Sequence, residues 1–198
     1  MKQIRKIILA TFVLGLAACS QTAPSGPEVS RSEPLNTQLL NANAPSTFHV
    51  ADVRISVPKT LVVSEANGYF PTADIVWRGE SYGDRHQQVA AIFDEALTRG
   101  VENMHGSREI YVEIEVTRFH SLTQRARYTV GGVHSIKFVM TLRDKETGAI
   151  LQAPKLIKAD LKAFGGTKAT ASERRGETQK VRIVSHLADL IKHEVNAL

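Results

Sequence analysis

Apolar and polar residues alternate most clearly in two stretches of this chain. Ile110, Val112, Ile114 and Val116 alternate with Tyr111, Glu113, Glu115 and Thr117; Ile136, Phe138, Met140 and Leu142 alternate with Ser135, Lys137, Val139 and Thr141. A period of two puts each apolar set on one face, as a sheet covered by helices on a single side requires. Val53, Ile55 and Val57 repeat the pattern more briefly, and Pro58 stops it. Leu61-Val62-Val63 and Ile75-Val76-Trp77 are short extended candidates on either side of Asn67-Gly68 and Pro71. Asp144-Lys145-Glu146-Thr147-Gly148 is a polar turn into a last strand over residues 156–164, which Gly165-Gly166 ends.

Two stretches follow the helical period instead. Asp84 with Gln87 three residues on forms a capping box, and Val89, Ile92, Phe93, Ala96, Leu97 and Met104 then recur on one face until Gly106. Near the carboxyl end Val181, Val184, Leu187, Ala188, Ile191 and Val195 form a second stripe. The resulting order, β(β)-α-β-β-β-α, predicts an α+β fold. We expect a two-layer sandwich over residues 47–198, its sheet mainly antiparallel and its two amphipathic helices on one face.

The first 46 residues read differently. Lys2, Arg5 and Lys6 precede an apolar run from Ile7 to Leu16, and Ala17-Ala18-Cys19 closes it. This is the layout of a secretory signal over residues 1–18. The twelve apolar or small residues from Ile7 to Ala18 would span roughly 18 Å as a helix, short of a bilayer core of about 30 Å. Leu16-Ala17-Ala18-Cys19 resembles the lipobox of bacterial lipoproteins. That resemblance implies cleavage between Ala18 and Cys19 and acylation of Cys19, which becomes the first residue of the mature chain. An ordinary signal peptide followed by a chance cysteine is the alternative. Ser20 stands where an aspartate marks inner-membrane retention in enterobacterial lipoproteins, which favours the outer membrane. Residues 19–46 hold four of the seven prolines and few large apolar groups. They predict a lipidated cysteine followed by a flexible tether with a reach of roughly 30 Å; a short arm of residues 35–40 packed on the domain is the other reading.

Composition narrows the chemistry. The chain of 198 residues is 42% hydrophobic, enough for a modest core. Its one cysteine permits neither an internal disulfide framework nor a thiolate zinc cluster. The formal charge is +5, but losing the three basic residues of the signal brings it near +2, so a nucleic-acid partner is not expected. The connection over residues 119–133 is long for a hairpin. It contains His120, Arg125, Arg127, Tyr128 and Gly131-Gly132, with His134 just beyond. Arg125, Arg127 and His134 beside glycine amides form a candidate anion site, through charge-assisted bonds and close backbone approach. The alternative is a solvated loop whose arginines pair with Glu113 or Glu115. His186 and His193, two helical turns apart, are too far from each other to share a metal. Arg174, Arg175, Lys180 and Arg182 form a basic stretch that reads as a wet face. No nucleophile elbow, phosphate loop or zinc-protease motif is present. An enzyme is not expected, and neither a cofactor nor a metal is implied.

Longer runs carry a further resemblance. They are residues 56–67 (SVPKTLVVSEAN), residues 73–80 (ADIVWRGE), Arg125-Ala126-Arg127-Tyr128-Thr129 with Gly132-Val133-His134, and residues 176–183 (GETQKVRI). On these the chain resembles a family of predicted alphaproteobacterial lipoproteins known only as a domain of unknown function. The resemblance implies no activity, cofactor or catalytic residue. The element order is also similar to that of small envelope lipoproteins that assist transporters or assembly machines. The expectation is therefore a membrane-anchored, periplasm-facing lipoprotein whose domain is an interaction or scaffold module with an envelope protein partner. The alternative is a binding module for an anionic small molecule, lipid headgroup or glycan.

Overall fold

Two strands of thirteen residues each form the spine of the structure, a computed structural model that describes residues 46–198. The signal, Ala18, Cys19 and residues 19–45 lie outside the described residues. In chain order the elements are β1 (Phe48–Ser56), β2 (Ile75–Val76), α1 (Arg85–Val101), β3 (Arg108–His120), α2 (Gln124–Tyr128), β4 (Gly132–Asp144), β5 (Ile150–Lys158), β6 (Leu161–Ala163), α3 (Gly166–Arg174) and α4 (Gln179–Asn196). They make an α+β fold with an open six-stranded sheet. β3 and β4 pair antiparallel, as do β4 and β5 and, at the start of β4, β6. β1 and β2 both run parallel to β3, because α1 carries the chain back to the end of the sheet where β1 began.

The predicted alternation holds along both long strands, and a bulge extends it. Ile110, Val112, Ile114 and Val116 are buried, as are Ile136, Phe138, Met140 and Leu142. Between Val116 and Arg118 the register against β4 slips by one residue, so Thr117 is the extra residue of a β-bulge. The slip turns Phe119, rather than Arg118, into the core. There its ring stands edge-on to Trp77, with centroids 5.6 Å apart, and 6.4 Å from Phe93. Helices α1 and α4 close this face with Val89, Ile92, Phe93, Ala96 and Leu97, and with Ile183, Val184, Leu187, Ile191 and Val195. Asp84 caps α1 by accepting from the His86 and Gln87 amides, and Thr178 caps α4 by accepting from Val181 N.

Several expectations are corrected. The single last strand is two, β5 and β6. At the break Ala159 N donates to Ile136 O, and Asp160 Oδ1 accepts from Ile136 N at 3.1 Å, so a carboxylate completes the ladder while the backbone turns away. The long connection after β3 holds a one-turn helix, α2, capped by Thr123 Oγ1. Gly165-Gly166 does not simply end a strand but opens α3, whose Thr-Lys-Ala-Thr-Ala-Ser run has too few apolar residues to show a helical stripe. Helix α1 stops at Val101, before Gly106; a Cβ at Gly106 would overlap the Thr47 carbonyl, so this glycine lets β1 pass. Val181 is exposed, and Ile183 takes its place on the buried stripe. Glu113, on the open face of the sheet, pairs with Arg54 and Arg143 rather than with the arginines of α2.

The bulge makes a sharp prediction. Phe119→Ala should destabilise the protein by about 3–5 kcal/mol in urea denaturation, the cost of emptying a buried aromatic site. Uninterrupted alternation would put Phe119 on the open face and make the loss less than about 1 kcal/mol.

Candidate functional site

The far ends of β3 and β4 outrun the strands beside them. β1 accompanies β3 only to Glu115, and β2 rejoins it only at Phe119. Between these points the chain leaves the sheet at residue 57 and returns at residue 74. Val63 bridges to Ile75 on the way, Phe119 N donates to Asp74 O, and Ser121 N donates to Val76 O. The excursion is tied down along its length. Glu65 accepts from Arg78 and from Arg85 Nε, the latter a nearly buried guanidinium that also donates to Ser81 O and Gln88 Oε1. Thr123 Oγ1 donates to Gly68 O at 2.7 Å, and Asn67 Oδ1 accepts from Arg125 N at 2.8 Å.

A solvent-open cleft of about 780 Å³ lies between this excursion and the start of β4. Its walls are Val62, Tyr69, Phe70, Pro71, Thr72, Ala73 and Asp74 on one side, and Arg118, His120, Ser121, Leu122, Gly131, Gly132 and Val133 on the other. The size suits a small ligand. The rim is apolar and unprotected: Phe70 is 94% exposed, Val62 59% and Val133 52%. In the wall, Arg118 donates to Ala73 O from Nη1, and Nη2 lies 2.9 Å from His120 Nδ1. Burial and the Arg118 charge lower the His120 pKa, against the opposing pull of the Ala73 carbonyl, so its imidazole is neutral at neutral pH.

The residues proposed from sequence as an anion site are separated by the fold. Arg125 is exposed, with its guanidinium 4.8 Å above the Tyr69 ring. Arg127 is buried and paired with Glu173 of α3. His134 is fully buried, its Nδ1 2.8 Å from Ser121 Oγ and its Nε2 without a partner. The glycine amides beside them are taken up by a crossing of two backbones. Gly131, at φ +73°, donates to Ala126 O, and a Cβ on Gly165 would overlap the Gly131 amide. The cleft residues Arg118, Tyr69 and Phe70 were not singled out from sequence. The available signal was an aromatic pair, Tyr69-Phe70, inside an otherwise turn-like stretch.

Ser121 and His134 have the spacing of a hydroxyl and its base, and Ser121 reaches the cleft wall. Desolvation, then the charges of Arg182 and Arg127, lower the His134 pKa to about 3. The imidazole is therefore neutral at neutral pH, and its contact with Ser121 joins the residue just past β3 to β4.

The elements make an α+β domain with an open six-stranded sheet, and an apolar-rimmed cleft lies at one end of it. The chain belongs to the Family of unknown function (DUF6778), whose model matches residues 48–198. Among solved structures it is similar to a Xanthomonas campestris protein of the DUF330 family model. Identity is 12% and the TM-score 0.48, with 77% of this chain and 85% of that one covered. It is also similar to a candidate lipoprotein from Caulobacter crescentus CB15, at 11% identity and TM-score 0.36, covering 72% and 88%. No curated protein matches it. Among the described residues no helix is long and apolar enough to cross a membrane.

The buried imidazole predicts a pH dependence. Its folded pKa, about 3, lies below the unfolded value of 6.5, so between them only the unfolded chain carries the proton. Stability from His134 is complete above pH 6.5 and falls as pH drops toward 3. The loss from pH 6.5 to pH 5 should be about 2 kcal/mol. Urea denaturation across this range should show a shallower slope for His134→Gln; parallel slopes for the two proteins would contradict the assignment.

Proposed function

We propose that this protein is a lipid-anchored, periplasm-facing component of the cell envelope, and that its folded domain is an interaction module working through the cleft. The observation that carries the reading is a solvent-open apolar cleft on a domain preceded by Leu16-Ala17-Ala18-Cys19. Exposed apolar groups gathered around a concavity mark binding surfaces more than they mark ordinary protein exterior. Acyl chains on Cys19 would hold the domain durably at a bilayer, since each buried methylene is worth about 0.8 kcal/mol and several chains act together. Ser20 supports the outer membrane over the inner. We infer binding rather than catalysis, supported by the weak basicity of the buried His134 imidazole that contacts Ser121 behind the cleft wall. An envelope protein is the partner in this first reading.

A second reading, recognition of an anionic molecule, is favoured by a different observation. Arg118 sits in the cleft wall and bonds only to neutral acceptors, a carbonyl and an imidazole, among the described residues. The candidate anion group thus moves from Arg125, Arg127 and His134 to Arg118.

The anchor is tested by intact-mass analysis of the protein extracted from its native membrane. The expected species starts at Cys19 and carries added acyl mass, and Cys19→Ala leaves it without that mass. A chain beginning elsewhere, or one with a free thiol at Cys19, contradicts the reading.

A further inference from the structure

We propose that the cleft holds a single long acyl chain ending in a carboxylate, with Arg118 receiving the head. The inference deepens the second reading above and rests on it. The wall offers two chemistries: exposed apolar groups, Val62, Phe70 and Val133, and the guanidinium of Arg118, a partly buried residue. An amphiphile presents the same two chemistries.

The one guanidinium of the lining matches a monoanion. Arg118 supplies one positive charge and His120 none, because its lowered pKa keeps it neutral. Asp74 is the one carboxylate of the lining, and its Oδ2 accepts from Val62 N at 2.9 Å rather than from Arg118. Arg118 uses Nη1 on Ala73 O and one contact of Nη2 on His120, which leaves N–H groups of its fork for an acid. A partly buried cation that forms no ion pair among the described residues gains from an anion what water supplies elsewhere.

The size argues for one chain. About 780 Å³ lies within the range of sites for small ligands, and the opening to solvent lets the distal end of a chain run out past Phe70. The walls are preformed, because the excursion of residues 57–74 is pinned through Glu65, Asn67 and Gly68. Little ordering is therefore left to oppose binding.

Photolabelling tests the proposal. The full chain, extracted from its membrane and placed in phosphatidylcholine nanodiscs, is irradiated with one of three diazirine probes: palmitic acid, hexadecanol, or a phosphatidylcholine carrying the same chain. Adducts are mapped by peptide mass spectrometry. The acid should label residues 62–74, 118–122 and 130–133 at least about tenfold more than the alcohol does, the scale of a lost charge-assisted hydrogen bond. Arg118→Gln should reduce acid labelling to the level of the alcohol, and Arg118→Lys should keep most of it. Equal labelling by acid and alcohol in the unsubstituted protein overturns the proposal, with no variant needed. So does labelling confined to other segments, and so does phosphatidylcholine labelling as strong as that of the acid, which would assign the cleft to membrane phospholipid. Intact mass of the same preparation reads the anchor separately. A cleft that fails to label on an acylated chain sinks the ligand and leaves the anchor standing; labelling on an unacylated chain does the reverse.

Discussion

The mismatch in strand length is the constraint from which the rest follows. β3 and β4 run thirteen residues each, while β1 and β5 run nine. Backbone amides and carbonyls at the overhanging ends need partners if they are to be buried. The chain supplies them piecewise: β2 beside the end of β3, β6 beside the start of β4, and α2 across the connection. Each edge of the spine is therefore made of two segments with a break between them. On the β3 side eighteen residues leave and return, and residues 62 and 69–74 of that excursion form one wall of the cleft. The bulge at Thr117 falls in the same break and sends Phe119 inward, which leaves Arg118 to the cleft.

This arrangement separates two jobs along one sheet. The end where β1 begins and the β4–β5 turn closes is held by local polar bonds. Asp144 accepts there from Thr147 N and Oγ1 and from Arg108 Nε. The other end carries the exposed apolar rim. Residue 46, to which the preceding stretch connects, lies at the first end, because Phe48 faces Arg108 at the start of β3. Ten residues of extended β3 between Arg108 and Arg118 put the cleft roughly 33 Å away from that connection.

Much of the fold is written in periodicity, because the core is one-sided. Val112, Ile114, Phe138 and Met140 alternate strictly, and Leu187, Ile191 and Val195 recur at helical spacing. What escaped was local and polar. The bulge at Thr117 has no signature of its own, since Thr117-Arg118 reads as the ordinary polar end of a strand. The break between β5 and β6 depends on one aspartate side chain reaching the Ile136 amide. Helix α3 is short and nearly devoid of large apolar groups. The candidate site was legible only in part: the right region was flagged by its length and arginines, but Arg127 and His134 turned inward. Partners distant in sequence decide that outcome, Glu173 for one and Ser121 for the other, and no spacing rule contains them.

The proposal that the cleft beside β3 is a binding surface can be tested without knowing what binds there. Amide hydrogen exchange of the full chain would be compared between native membranes and detergent extract. The account predicts slower exchange in the membrane over residues 62–74 and 130–133, with the turn at residues 144–149 unchanged. Slowing centred on that turn, or equal rates at both ends in the two states, would contradict it.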